Sequence, residues 1–309
     1  MQDKKKKETL QRVISLNIIL VIAEIAAGIF SGSMALVADA FHNLGDVLAL
    51  FISLVAIIYT AKEATGTMTF GYIKAEMMAA FVNSLFLIIT MLFILFESIN
   101  RFFEPHAIDA PIVIVAALIA LLVNGYSTYL LSKANIEHHH EDEEEHHHDH
   151  ETKDLNITSA YLHMLGDAVI SLSVAIGGVL IYFFNIVSID TILSIIFSIY
   201  IIKETFPILK NSFFALMDSS GNVDVKKIED TILQKQIVDS VHDLHIYTPN
   251  SKEIYGSAHI VLCENLSLEA IETILEEIRA DLAKIGIKHF IIQPETKKYS
   301  TSNNSCQRH

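Results

Sequence analysis

The sequence predicts an α-helical membrane protein with six transmembrane helices, followed by a small cytosolic α+β domain. Three observations lead to this fold class. Hydrophobic residues make up 51% of the 309 residues and the mean hydropathy is +0.41, which is too apolar for an ordinary soluble domain. Six apolar stretches have the length of about 20 residues that crosses a bilayer. From about residue 211 the composition becomes that of a soluble domain.

The six predicted spans follow a basic N-terminus at residues 1–9 and make up a transmembrane domain over residues 10–210. They lie at about residues 10–31, 34–60, 76–99, 109–132, 155–184 and 189–208. Lysines and arginines flank the spans on one side, and Arg101 alone lies on the other. The positive-inside rule then places both termini in the cytosol, as in a multi-pass integral protein of the cell membrane.

A loop predicted at residues 133–153 is rich in histidine and acid. Residues 137–151 carry eight acidic side chains and no Lys or Arg, more than half of the net charge of −14. Seven histidines lie in this loop: His138, His139, His140, His146, His147, His148 and His150. We expect weak capture of Zn²⁺ by these groups; the alternative is a solvated acidic linker without a metal role.

The cytosolic domain is predicted over residues 211–295, with elements in the order α-β-β-α-β. Helices are expected at 222–235 and 266–285, and strands at 237–247, 253–262 and 287–293, which gives one sheet covered by two helices. The polar residues 296–309 are expected to be disordered.

Two matching pairs of ionisable residues lie inside predicted spans. His42 and Asp46 in the second span, and His163 and Asp167 in the fifth, both follow the pattern H-x-L-G-D. Positions i and i+4 share one helix face, and the two spans run in opposite directions, so both pairs meet near the middle of the bilayer. Four such ligands suit tetrahedral Zn²⁺, with Co²⁺, Cd²⁺, Fe²⁺ or Mn²⁺ as alternatives. The competing interpretation is a set of interhelical hydrogen bonds that only hold the bundle together.

Two further acids lie within spans, where charged groups are costly. Asp39 shares the helix face of His42 and either relays metal or protons towards the outer mouth or is a helix-start carboxylate near the interface. Glu24 in the first span is either a pathway group or a hydrogen-bond partner for Asn or Ser side chains of other helices.

On these residues the chain resembles the cation diffusion facilitators, a family of zinc-exporting antiporters, here of the bacterial type. The resemblance rests on the paired H-x₃-D motifs, on Ser33–His42 and Phe70–Glu76, on the His-rich loop and on Val241–His245. It implies that the two His–Asp pairs form the transport site. It also implies a homodimer in the lipid bilayer, with regulatory zinc bound at the dimer interface of the cytosolic domain.

A second metal site is predicted in the cytosolic domain. If the first two strands form a hairpin about Asn250-Ser251, His242 faces His259, and Glu295 past the third strand completes the group. His245 falls on the opposite face of a regular strand and joins only through a bulge or from the second subunit. Surface histidines without a metal role are the alternative.

We therefore expect proton-coupled efflux of divalent cations, chiefly Zn²⁺, from the cytosol. Deprotonated ligands bind the metal, and outside protons displace it and are carried inward. The rivals are an intramembrane zinc-dependent hydrolase, which needs a general-base Glu beside its histidines, and a non-transporting metal sensor. An enzyme is not expected. There is no G-x₄-G-K-[ST] nucleotide motif, and the acidic net charge argues against nucleic acid.

Overall fold

The computed structural model describes residues 2–60, 64–136 and 150–302. The side chains of 2–15, 127–136, 150–164 and 301–302, and of part of 50–60, lie outside this description. The chain forms two compact units: Met1–Phe51 with Asn83–Pro207, and Ile52–Val82 with Ile208–His309.

Six long helices come first along the chain. They are α1 (Gln2–Ser31), α2 (Met34–Thr60), α3 (Ala75–Phe103), α4 (Ala110–Ile136), α5 (His150–Phe184) and α6 (Ser188–Leu216). Each predicted span falls on one of these helices, and most of the helices extend beyond it. Because α4 ends at Ile136 and α5 begins at His150, the loop predicted at 133–153 is helical at both ends. Residues 137–149, with six of the seven loop histidines, lie outside the described residues.

Three helices within the described residues are long and apolar enough to cross a membrane: Ala75–Phe103, Leu165–Phe184 and Ser188–Leu216. Leu16–Ser31 and Ala110–Tyr126 are shorter apolar helices. Many large apolar side chains on these helices point outward, as a surface in contact with lipid requires. The apolar helices support a membrane domain, whereas the number of six spans stays a prediction.

Small residues pack the centre of the first unit. Ala35 and Ala38 of α2 and Ala117 of α4 are fully buried, and they share one apolar cluster with Met91 of α3 and Val174 of α5. Alanine allows helix backbones to approach closely, which is the usual way in which helices associate in a membrane. The cluster therefore holds α2 and α5, the two helices that carry the H-x-L-G-D motifs, in one core.

The second unit contains the tail domain, in the predicted order α-β-β-α-β. Its elements are α7 (Val225–Leu233), β1 (Val238–Tyr247), β2 (Ile254–Leu262), α8 (Leu268–Lys284), β3 (Ile287–Thr296) and a final α9 (Lys297–Ser302). The side chains of Asp224 and Ser267 accept backbone hydrogen bonds at the N-termini of α7 and α8, which explains where these helices begin.

The tail domain has one three-stranded sheet in the order β1-β2-β3. β2 pairs with β1 in antiparallel and with β3 in parallel orientation. Alternate residues of β2, such as Ala258 and Ile260, are buried, and they share an apolar cluster with Ile232 of α7 and with Ile278 and Leu282 of α8. One face of the sheet is thus covered by the two helices, as the sequence predicts.

Two expectations for the end of the tail domain are wrong. β3 continues to Thr296, so Glu295 lies within the strand and pairs with Val261 instead of following the strand. Residues 297–302 form α9 instead of a disordered segment, and the remaining residues of the predicted tail lie outside the described chain. The parallel pairing with β2 supplies backbone partners that extend β3 beyond its apolar stretch.

Candidate metal sites

Three of the four predicted transport ligands meet within the first unit. His42 of α2 lies between Asp46, one turn later, and Asp167 of α5. Its Nε2 atom is 3.2 Å from Asp167 Oδ1 and 3.9 Å from Asp46 Oδ2. One ligand atom of each residue lies within 4.8 Å of the other two, a spacing that can hold a metal ion. The cluster contains one nitrogen and two oxygen ligands, which suits Zn²⁺ and related divalent ions.

The fourth predicted ligand, His163, lies on α5 one turn before Asp167. Its side chain is outside the described residues, as is that of His150 at the start of the same helix. The loop histidines 138–140 and 146–148 are also outside them. The i, i+4 spacing on a continuous helix still places His163 and Asp167 on one face of α5.

Both additional acids of the spans are buried and hydrogen-bonded. Glu24 is 1% exposed, and its Oε2 atom accepts a hydrogen bond of 2.9 Å from Asn43 Nδ2 of α2. Asp39 is 0% exposed, and its Oδ2 atom accepts a hydrogen bond of 3.2 Å from Ser171 Oγ of α5. Of the two interpretations of Glu24, the hydrogen bond with an Asn or Ser of another helix is present, and the role as a pathway group stays a prediction. Full burial of Asp39 disagrees with an interfacial helix-start carboxylate.

A second group of metal-binding side chains lies in the tail domain. His242 of β1 is paired directly with His259 of β2, as the hairpin register predicts. His259 Nδ1 is 3.0 Å from Glu295 Oε1, and His242 Nε2 is 3.4 Å from Glu295 Oε2. One ligand atom from each of the three residues lies within 4.8 Å of the other two. The carboxylate of Glu295 is 4% exposed, so it is held between the two imidazoles.

A bulge in β1 adds a residue that sequence reasoning did not assign. The register between β1 and β2 shifts between His242 and His245, and Asp243 at this point has φ +53°. Its carboxylate is 3.6 Å from His259 Nε2 and 3.0 Å from His245 Nε2. The bulge brings His245 to the edge of the group through Asp243, although its side chain stays 60% exposed. The only signal for Asp243 in the sequence is its place between two histidines in Val241–His245.

Comparisons with known proteins cover both parts of the chain. Residues 10–217 match the family model described as the cation efflux transmembrane domain, and residues 221–297 match that of the cation efflux protein, cytoplasmic domain. The "Cadmium, cobalt and zinc/H(+)-K(+) antiporter" of Bacillus velezensis is 32% identical over 289 residues, which is 93% of this chain and 88% of the relative.

Two further relatives also carry the names of transporters. The "Zinc transporter ZitB" of Pectobacterium atrosepticum is 33% identical over 233 residues, 75% of this chain and 68% of the relative. The "Metal cation efflux system protein CzcD" of Cupriavidus metallidurans is 30% identical over 291 residues, 94% of this chain and 86% of the relative. These names and the two family models indicate a transporter rather than an enzyme, so the hydrolase interpretation is wrong. The chain belongs to the cation diffusion facilitator family of membrane cation-efflux proteins.

Proposed function

We propose that this protein exports divalent metal cations, chiefly Zn²⁺, from the cytosol in exchange for protons. The observation that carries the proposal is the approach of His42 to Asp167, 3.2 Å apart although they lie on different helices. With Asp46 they form a compact group of metal-binding atoms inside an apolar unit. Relatives named as zinc transporters, and one named as a zinc/H(+)-K(+) antiporter, support both the metal and the exchange.

His163 is the proposed fourth ligand. It precedes Asp167 by one turn of α5, as His42 precedes Asp46 on α2. Two imidazoles and two carboxylates give the tetrahedral N₂O₂ set that Zn²⁺ accepts. The set binds metal only while its histidines are neutral, so protons compete directly with the metal.

The transport cycle follows from this competition. On the cytosolic side the ligands are deprotonated and bind Zn²⁺. After the bundle rearranges, protons from outside bind the ligands and displace the metal, and they return with the empty site. The proton gradient then drives efflux, so no nucleotide is consumed.

The proposed membrane topology is consistent with efflux from the cytosol. Six spans at residues 10–210 cross a bacterial cell membrane, with the basic residues 1–9, the loop at 133–153 and the domain at 211–295 in the cytosol. The His-rich loop raises the local Zn²⁺ concentration without being part of the transport site. The match to a cytoplasmic domain of cation efflux proteins supports the cytosolic placement of the tail.

The second metal group is proposed to be regulatory. This group binds Zn²⁺ through His242, His259 and Glu295 when cytosolic zinc rises, and Asp243 and His245 lie at the edge of the group. The tail domain also forms a homodimer, and bound metal biases the membrane domain towards transport.

Reconstituted liposomes test the proposal. Wild-type protein should move Zn²⁺ across the membrane under an imposed pH gradient, and Asp46→Ala and His163→Ala should abolish this movement. His106→Ala is the matched control, because His106 is exposed between α3 and α4 and its Nδ1 atom contacts only the carbonyl oxygen of Glu104 among the hydrogen bonds described. Wild-type liposomes that move no Zn²⁺ would favour the metal sensor, and normal transport by Asp46→Ala would refute the proposed site.

A further inference from the structure

The side chain of Glu24 is a buried acid that the metal site does not use. It is 1% exposed on α1, and its Oε2 atom accepts the hydrogen bond from Asn43 Nδ2 at 2.9 Å. Its Oε1 atom is also buried and has no hydrogen-bond partner among the described residues. An ionised carboxylate in such a place normally has two or more polar partners or a cation.

The surroundings of Glu24 disfavour a negative charge. Towards α4 it borders an apolar groove of about 390 Å³, whose α4 side is formed by Pro111, Ile112, Val115, Ala116 and Ile119. None of these residues is titratable. The charges of Asp39 of α2 and Asp167 of α5, both acidic, and of His42 also act on Glu24. Among the described residues that act on Glu24, His42 alone can carry positive charge.

We propose that Glu24 is a proton-binding site of the transport cycle, separate from the metal ligands. With the metal site empty, Glu24 carries a proton, because a second or third negative charge in this apolar region is unfavourable. When a divalent cation is bound near His42 and Asp167, its positive charge stabilises the ionised carboxylate and the proton leaves. The balance is one carboxylic acid giving one carboxylate and one free proton.

The coupling is reciprocal, as linkage between two sites requires. A proton that binds Glu24 from the outer side weakens metal binding, and it is then carried inward on the carboxyl group. Glu24 thus adds a proton to those that compete directly for the imidazoles. Asn43 is the residue after His42 on α2. Its side-chain amide fixes the position of the Glu24 carboxyl group because it donates a hydrogen bond to it across the helix interface.

This inference rests on the proposed exchange of Zn²⁺ for protons, and proton counting tests it separately. The parent protein for this experiment is the full-length chain in detergent with His242→Ala and His259→Ala, so that the metal group of the tail domain does not contribute to the protons released. Zn²⁺ is added in weakly buffered solution, and the protons released per bound metal are measured with a pH indicator. Glu24→Gln should release about one proton fewer than the parent protein. An unchanged number of protons would overturn the inference while leaving the transport proposal intact.

The matched control is Glu97→Gln. Glu97 lies on α3, and its Oε1 atom is 2.8 Å from Arg101 Nε, so it already has a cation partner and should release no proton when metal binds. If Glu24→Gln fails to fold, a second measurement on the unsubstituted protein decides. Infrared difference spectra of protein labelled with ¹³C-glutamate, recorded before and after Zn²⁺ is added, should show the loss of the carbonyl band of a protonated glutamic acid. Absence of this labelled band would overturn the inference. Failure of wild-type liposomes to transport Zn²⁺ would instead overturn the proposed function.

Discussion

Asp190 at the start of α6 should stabilise the N-terminus of α2, the helix that carries His42. Its Oδ2 atom accepts a hydrogen bond of 2.8 Å from the backbone N–H of Met34, and its Oδ1 atom accepts a hydrogen bond from Ser33 Oγ. Ser33 in turn accepts the N–H of Leu36 at 3.1 Å, which makes it the cap of α2. Asp190 therefore holds both the first backbone donor of α2 and its capping hydroxyl.

The cost of Asp190→Ala follows from these contacts. Asp190 is 4% exposed, so its removal leaves two buried donors without their acceptor. A hydrogen bond to a charged group contributes about 1.5–3 kcal/mol, and the two bonds share one carboxylate. We expect the free energy of unfolding to fall by about 2–4 kcal/mol. Asp190→Asn keeps one acceptor oxygen and should lose about half as much.

The assay is unfolding by SDS in mixed micelles, followed by circular dichroism. Asp109→Ala is the matched control, because Asp109 is an exposed acid at the start of α4 whose side chain accepts one long hydrogen bond, 3.4 Å from Ile112 N. It should lose less than about 1 kcal/mol. If Asp190→Ala unfolds at the same SDS concentration as Asp109→Ala, the two contacts do not stabilise α2 and the reasoning is wrong.

Three further substitutions test the tail domain. Gly256→Ala should destabilise it by about 1–3 kcal/mol in thermal unfolding, because a new Cβ would lie 2.7 Å from a backbone carbonyl oxygen and from two side chains; Gly66→Ala, with nothing within 4 Å, should not. Leu282→Ala should cost about 2–5 kcal/mol because Leu282 is fully buried, whereas the 71% exposed Leu268 should tolerate alanine. Glu295→Gln should weaken Zn²⁺ binding by at least about tenfold, measured against a chelating dye in protein with Asp46→Ala. Equal values for a variant and its control, or an unchanged affinity of Glu295→Gln, would contradict the corresponding prediction.

Local patterns in the sequence predicted much of the fold. Apolar runs predicted the six long helices. Segments with the hydrophobic period of a helix and segments with that of a strand predicted the α-β-β-α-β order of the tail domain. Pairing of His242 with His259 followed from counting back from the hairpin turn. These features depend on residues close together in the chain, so hydrophobic period and turn position are enough to predict them.

The candidate sites were less predictable where distant segments meet. Glu295 was expected after the third strand because the apolar pattern ends at about residue 293, whereas parallel pairing with β2 extends β3 to Thr296. Asp243 enters the tail group through a bulge that the alternation of side chains does not reveal. For Glu24 the sequence offered a hydrogen bond to an unspecified Asn or Ser of another helix, and the identity of that partner, Asn43, is fixed only by how α1 packs on α2.

The sequence by itself determined which residue types could bind a metal and which helices carry them, because the i, i+4 spacing places His and Asp on one helix face whatever surrounds them. Only the tertiary structure decided that His42 meets Asp167, that Asp190 accepts the first backbone N–H of α2 from 156 residues away, and that Glu24 is buried beside an apolar groove. Those contacts depend on how helices pack against one another, and packing is set by the shapes of whole surfaces rather than by local spacing.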